Sequence, residues 1–218
     1  MTVPLKRPKP GYQDSINCLE QMKQDARRQF AKDSLFIRSL RSYFSPGPIL
    51  EIGAGVGQLS LILQTLGFTV LASDIQPWMV EYMRTLGLNA QQIDCLNIYE
   101  ATGQTFPNIL AQGPSPFVTN SLHIVASAYQ SVFDALADKG RFIFIFPDSA
   151  DRSRYSRLAD HWPIIAKTGF RLIRHFRHQV LPSHFYRYVN TAIHALLENS
   201  LGRLIGIRNI LILEKPAS

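Results

Sequence analysis

The chain carries two cysteines among its 218 residues, Cys18 and Cys95, far apart and in no ligand-like spacing. Neither a disulfide framework nor a zinc site is indicated, and a reducing compartment follows. No window approaches eighteen consecutive apolar residues, which argues against a spanning helix. Met1 to Gly11 holds Lys, Arg and Pro without an apolar stretch, so it makes a poor secretory signal and reads as an arm. Together these absences point to a soluble, cytoplasmic protein with no metal site. What is present is enough for a sizeable core: 46% of the residues are hydrophobic, and the length suits one α/β domain and is short for two.

Charge is unevenly placed. Of 23 Lys and Arg and 16 Asp and Glu, residues 1–50 hold nine and four, residues 51–150 three and eight, and residues 151–218 eleven and four. The acidic middle lies between basic flanks. Such flanks attract anionic substrates, anionic membrane surfaces or nucleic acid, or serve only as solubilising surface.

The acidic middle opens on Ile49-Leu50-Glu51-Ile52-Gly53-Ala54-Gly55-Val56-Gly57-Gln58, followed one helix length later by Thr69-Val70-Leu71-Ala72-Ser73-Asp74. An apolar run with an acid, then alternate glycines opening a helix, is a strand-turn-helix that lets backbone approach a nucleotide closely. A Cβ there would collide with the ligand or forbid a left-handed turn. The acid closing the second strand, Asp74, suits a ribose diol. A dinucleotide fingerprint needs a third glycine where Gln58 stands, and Glu51 beside the loop favours a cationic amino-acid ligand over a pyrophosphate.

On these residues the chain resembles the class I S-adenosylmethionine-dependent methyltransferases, whose first motif runs hydrophobic-(D/E)-x-G-x-G-x-G. The resemblance covers Pro48 to Asp148 well and the remainder by topology. It implies S-adenosyl-L-methionine as cofactor, held along Glu51, Gly53, Ala54, Gly55 and Gly57, with Asp74 on the ribose and Ile75 beside it. Asp94 and Cys95, closing a third strand, are carried over to the adenine side, and Gln112 to the cofactor edge of the fourth. It also implies a Rossmann-like, doubly wound α/β fold: a seven-stranded sheet of order 3-2-1-4-5-7-6 with the last strand antiparallel.

The pattern places a helix over Asp14–Tyr43, stopped by Ser45-Pro46-Gly47-Pro48, and crossover helices over Gln58–Leu66 and Pro77–Leu86, each closed by glycine. Strands are expected over Phe68–Ser73, Ala90–Ile93, Arg141–Phe146, Phe170–Phe176 and Ile207–Leu213. Two frames compete for the fourth, Pro107–Gln112 and Phe117–Ser121, and the first is favoured because it leaves room for a helix over Ser127–Ala137. A further helix spans Ser153–Lys167 despite Pro163. One domain results: an N-terminal arm and cap helix over 1–47, a cofactor-binding core over 48–176, a lid insert over 177–206, and a final strand and tail over 207–218.

Methyl transfer needs donor and acceptor held in line and water excluded, and an acceptor hydroxyl also needs a base. His123, after the fourth strand in either frame, is the leading candidate; Asp148, His178 and His184 are rivals. Arg152, Arg154 and Arg157 read as a solvated face or as a contact for a substrate anion. A small or lipid-linked acceptor is expected, methylated at oxygen or nitrogen, with transient contact to a membrane surface. Tyr12, Phe185, Tyr186 and Tyr188 would line its chamber. An RNA-directed methyltransferase using the basic flanks is the alternative, although the D/N-P-P-aromatic motif of nucleobase amino methylation is absent after the fourth strand; a catalytically silent methyltransferase-like subunit is the other. The oligomeric state is left open.

Overall fold

A computed structural model describes residue 37, residues 39–147 and 156–178, residues 193 and 196, and residues 208–217. The strands are β1 (Ile49–Ile52), β2 (Val70–Asp74), β3 (Ala90–Gln92), β4 (Phe106–Gln112), β5 (Leu136–Pro147), β6 (Arg171–His178) and β7 (Arg208–Glu214). They form one sheet of order β3-β2-β1-β4-β5-β7-β6. Parallel pairing runs from β3 to β5, and β7 is antiparallel to both β5 and β6, as the resemblance implied. The helices are α1 (Gln58–Thr65), α2 (Pro77–Thr85), α3 (Ile98–Thr102), α4 (Ser115–Val118), α5 (Leu122–Ala135) and α6 (Leu158–Thr168).

Strands covered on both faces read as unbroken apolar runs, and β5 shows why. Phe142, Phe144 and Phe146 point to one side of the sheet and pack with Phe117 of α4, Tyr129 of α5 and Ile165 of α6. Ile143 and Ile145 point to the other, where Ile62 and Leu63 of α1 and the buried Ile37 and Leu40 cover them. The chain enters β1 through a pinned turn. Asn108, fully buried in β4, accepts from Ser45 N at 2.7 Å and donates to the Ser45 carbonyl at 2.8 Å.

Local signals located the elements better than their ends. The favoured frame of the fourth strand holds, and the competing stretch falls on α4 and the residues after it. The helix expected over Ser127–Ala137 starts earlier, at Leu122, and ends at Ala135, because Leu136 pairs with Phe106. The helix expected from Ser153 is helical only from Leu158 within the described residues, where the Arg157 N–H donates to Asp160 at 2.9 Å; Pro163 lies inside it. Arg41–Tyr43 forms a 3-10 turn where an α-helix was expected to run on to Tyr43. Strand β3 stops at Gln92, and β5 starts before Arg141 through a bulge. Residues 1–36, Asp148, Arg152, Arg154, and residues 179–206 with His184 but without Ile193 and Leu196, lie outside the described residues; Arg177 and His178, where the insert was expected to begin, still belong to β6, paired with Asn209 and Arg208. Among the described residues no helix is long and apolar enough to cross a membrane.

Candidate active site

The register aligns the carboxyl ends of four parallel strands in one row. Ile52 pairs with Ser73 and with Ala111, Asp74 with Gln92, and Gln112 with Ile145. Glu51, the glycine loop, Asp74, Ile75, Asp94, Cys95 and Gln112 therefore meet along one edge, as parallel strands with right-handed crossovers require.

Three glycines of the loop have positive φ, yet they do different work. A Cβ on Gly57 (φ 82°) would lie 2.5 Å from Leu88 Cδ1 and 2.8 Å from Met83 Cγ, so this glycine lets the start of α1 pack on α2. A Cβ on Gly53 (φ 66°) would strike Pro114, in the loop after β4, at 2.7 Å. Only Gly55 (φ 59°) faces open space, with nothing within 4 Å of the Cβ position. Of the three, only Gly55 leaves open space beyond its Cα, and at Gly53 and Gly57 the crowding comes from the protein itself.

Asp74 is what holds that open turn. Its Oδ2 accepts the Gly55 N–H at 3.0 Å and its Oδ1 the Gln76 N–H at 2.9 Å. Each carboxylate oxygen has a second acceptor site, so both can still take a hydroxyl. Burial raises the Asp74 pKa, opposed by these backbone donors. Ile75, next to it, leaves 52% of its surface exposed, an apolar side chain on the open side of an otherwise polar edge. Asp94 accepts the Leu96 N–H at 3.0 Å. Cys95 is buried, and burial with the nearby Asp94 and Asp74 charges pushes its thiol up to about 12, so it stays protonated and is no nucleophile at neutral pH.

Glu51 sits beneath the loop and not in its mouth. It is 3% exposed, on the α1 side of β1, and receives the Ser60 hydroxyl. Burial raises its pKa to about 7 against the Ser60 hydrogen bonds, with Asp74 adding a smaller push. His123, in the first turn of α5, is exposed at the same edge, where its Nδ1 lies 2.9 Å from Ser121 Oγ. His178, closing β6, is at the far end of that edge, and Arg157 is exposed before α6.

A buried histidine is absent from the sequence reading. His161 of α6 is 0% exposed, between Tyr129 Oη at 3.0 Å and Ser156 Oγ at 2.8 Å. Its signal was its place in the helical pattern, four residues before Ile165 on the face that packs on the core. Burial lowers its pKa to about 4.

These two groups bias stability in opposite directions. Glu51, raised from 4.5 to about 7, contributes stability that is full below its unfolded pKa and is lost as pH rises to about 7. His161, lowered from 6.5 to about 4, contributes stability that is full above pH 6.5 and is lost as pH falls to about 4. Each term is on the order of 3 kcal/mol, so they largely cancel between them. Urea midpoints measured from pH 4 to 7.5 should therefore vary little in the wild type. Glu51→Gln should become progressively less stable toward pH 4, and His161→Gln progressively less stable toward pH 7. Parallel profiles for all three proteins would contradict this pairing.

Among the described residues no group of three or more His, Cys, Asp or Glu could hold a metal ion. A profile of the methyltransferase domain family matches residues 22–199. The chain shares its fold with a TehB-like SAM-dependent methyltransferase from Corynebacterium glutamicum, at 15% identity and a TM-score of 0.64 over 95% of this chain and 98% of that one. It is similar to the glycopeptide N-methyltransferase MtfA complexed with S-adenosyl-L-methionine (13% identity, TM-score 0.61, 85% and 87% of the two chains). It is also similar to a magnesium protoporphyrin IX methyltransferase from Synechocystis with bound SAM (14%, 0.58, 97% and 86%). No curated protein sequence matches the chain.

Proposed function

The chain belongs to the methyltransferase domain family, and we propose that it transfers a methyl group from S-adenosylmethionine to an oxygen or nitrogen of a small or lipid-linked acceptor. The observation that carries the cofactor assignment is the Asp74–Gly55 pair. An acid holds the one loop glycine whose Cα faces open space, with acceptor capacity left for a diol. Ile75 offers an apolar surface for one face of an adenine, and Asp94 with Cys95 borders it from β3. Ala54 and Gln112 complete the lining at the loop and at β4. The cofactor supplies an activated methyl on a sulfonium; the protein's part is to position it, exclude water and remove a proton from the acceptor. His123, exposed at that edge and paired with the Ser121 hydroxyl, is the residue we place in the last of these roles.

The acceptor class rests on two features. The residues ending β4 and following it, Gln112-Gly113-Pro114-Ser115, lack the D/N-P-P-aromatic motif of nucleobase amino methylation. Ile193 and Leu196, both helical and one turn apart in the insert, are 54% and 69% exposed, an apolar surface fit for an amphiphile. Transfer of labelled methyl from S-adenosylmethionine to a panel of small hydroxylated, amino and lipid-linked compounds, with total RNA alongside, tests the reading. Turnover is expected on a small or amphiphilic compound, and His123→Ala should lower kcat more than the cofactor affinity. Labelling confined to RNA, falling steeply with salt, would replace it with the RNA-directed alternative.

A further inference from the structure

The sheet edge opposite the cofactor loop holds a second feature. A cleft of about 410 Å³ opens among Ser45, Lys139, Arg141, Arg171, Glu214, Pro216 and Ala217. The charged ones come from the amino-terminal parts of β5 and β6 and the carboxyl end of the antiparallel β7, which the register brings side by side: Arg141 and Arg171 both pair with Glu214. Arg171 forms an ion pair with Glu214, and Arg141 Nε lies 3.7 Å from the same carboxylate. The Arg141 guanidinium is fixed in place by donating to the Tyr43 carbonyl at 2.9 Å. Among the charged residues that line the cleft, three are cations and one is a carboxylate.

The backbone at Lys139 indicates that this charge has a use. Lys139 is the one non-glycine with a positive φ (59°) among the described residues. That conformation is costly for a residue with a Cβ. It is imposed from both sides: the Lys139 N–H donates to the Lys215 carbonyl at 2.9 Å, and the Lys215 N–H to the Gly140 carbonyl at 3.0 Å. The next residue is a glycine for a separate reason, since a Cβ on Gly140 would meet the Ala137 carbonyl at 2.6 Å. The bulge thus has glycine where crowding demands it and lysine where φ alone would favour glycine. Strain retained at a charged residue on a cationic cleft fits a binding role.

We propose that this cleft binds a phosphate group, as a free phosphomonoester or as a lipid headgroup, independently of the cofactor site. Three cationic side chains around one carboxylate suit an anion, and arginine presents paired donors to its oxygens. The segment of β5 from Arg141 to Ile145, roughly 13 Å at strand rise, separates the cleft from the opposite edge, so the two ligands do not compete.

The test uses the full chain at constant ionic strength. Inorganic phosphate and glycerol phosphate are titrated calorimetrically, and vesicles with and without phosphatidate are sedimented with the protein. Lys139→Gln removes the charge and keeps the strain; Lys139→Gly removes both. Both variants should bind at least 10-fold more weakly to whichever probe the wild type binds, and the probe identifies the source of the phosphate. Without ligand, Lys139→Gly should melt about 2 °C or more above the wild type, marking stability given up for the charge. Saturating S-adenosylhomocysteine should leave phosphate affinity unchanged. No binding to any probe, or equal binding by wild type and both variants, overturns the proposal without touching the methyltransferase assignment.

Discussion

Asp74→Ala should weaken S-adenosylmethionine binding by about 30-fold or more, measured by calorimetry near pH 7.5. The carboxylate would lose two charge-assisted hydrogen bonds to a ribose diol, together on the order of 2 to 4 kcal/mol. Part of the effect would come through the loop, because Asp74 also holds the Gly55 N–H at 3.0 Å. Asp74→Asn separates the two contributions. The amide oxygen can keep one backbone donor while the charge is gone, so an intermediate loss is expected. Affinity unchanged in both variants would remove Asp74 from the ribose site.

The largest effect on stability is expected from Phe117→Ala, at about 3 to 5 kcal/mol. Phe117 is fully buried, with ring centroids 5.2 Å from Tyr129, 5.6 Å from Phe142 and 5.1 Å from Phe144. The four-residue α4 that carries it is too short to be stable by its own hydrogen bonds, so this ring is its anchor. Deleting it leaves a cavity three residues beyond Pro114, which abuts Gly53 of the loop. A domain of ordinary stability would lose roughly a fifth or more of its margin. Urea unfolding with an unchanged slope and a lower midpoint checks it. A loss below about 1 kcal/mol would show that α4 is not anchored this way.

Glu51 and His161 mark where reading the chain stopped. Glu51 was visible as an acid at the loop, but its contact with Ser60 depends on which face of β1 it takes and on α1 lying over that face. His161 lay in a helical pattern that shows which face is apolar, while its partners Tyr129 and Ser156 come from other parts of the chain. The helix ends moved for a similar reason. Leu136 left α5 because β4 offered it a strand partner, a competition that propensity does not register.

Local chemistry in the sequence determined the strand-turn-helix at Ile49–Thr65, the acid closing β2, the alternation of strands with helices, and so the parallel sheet, because turn residues and apolar periodicity act within a few positions of themselves. Resemblance added the strand order and the antiparallel β7. Only the tertiary structure decided that Gly55 alone of the three loop glycines faces open space, that Glu51 is buried and inclined to hold a proton, and that Lys139, Arg141, Arg171 and Glu214 share one cleft. Burial, charge environment and steric crowding are set by neighbours distant along the chain, and those neighbours exist only once the sheet has formed.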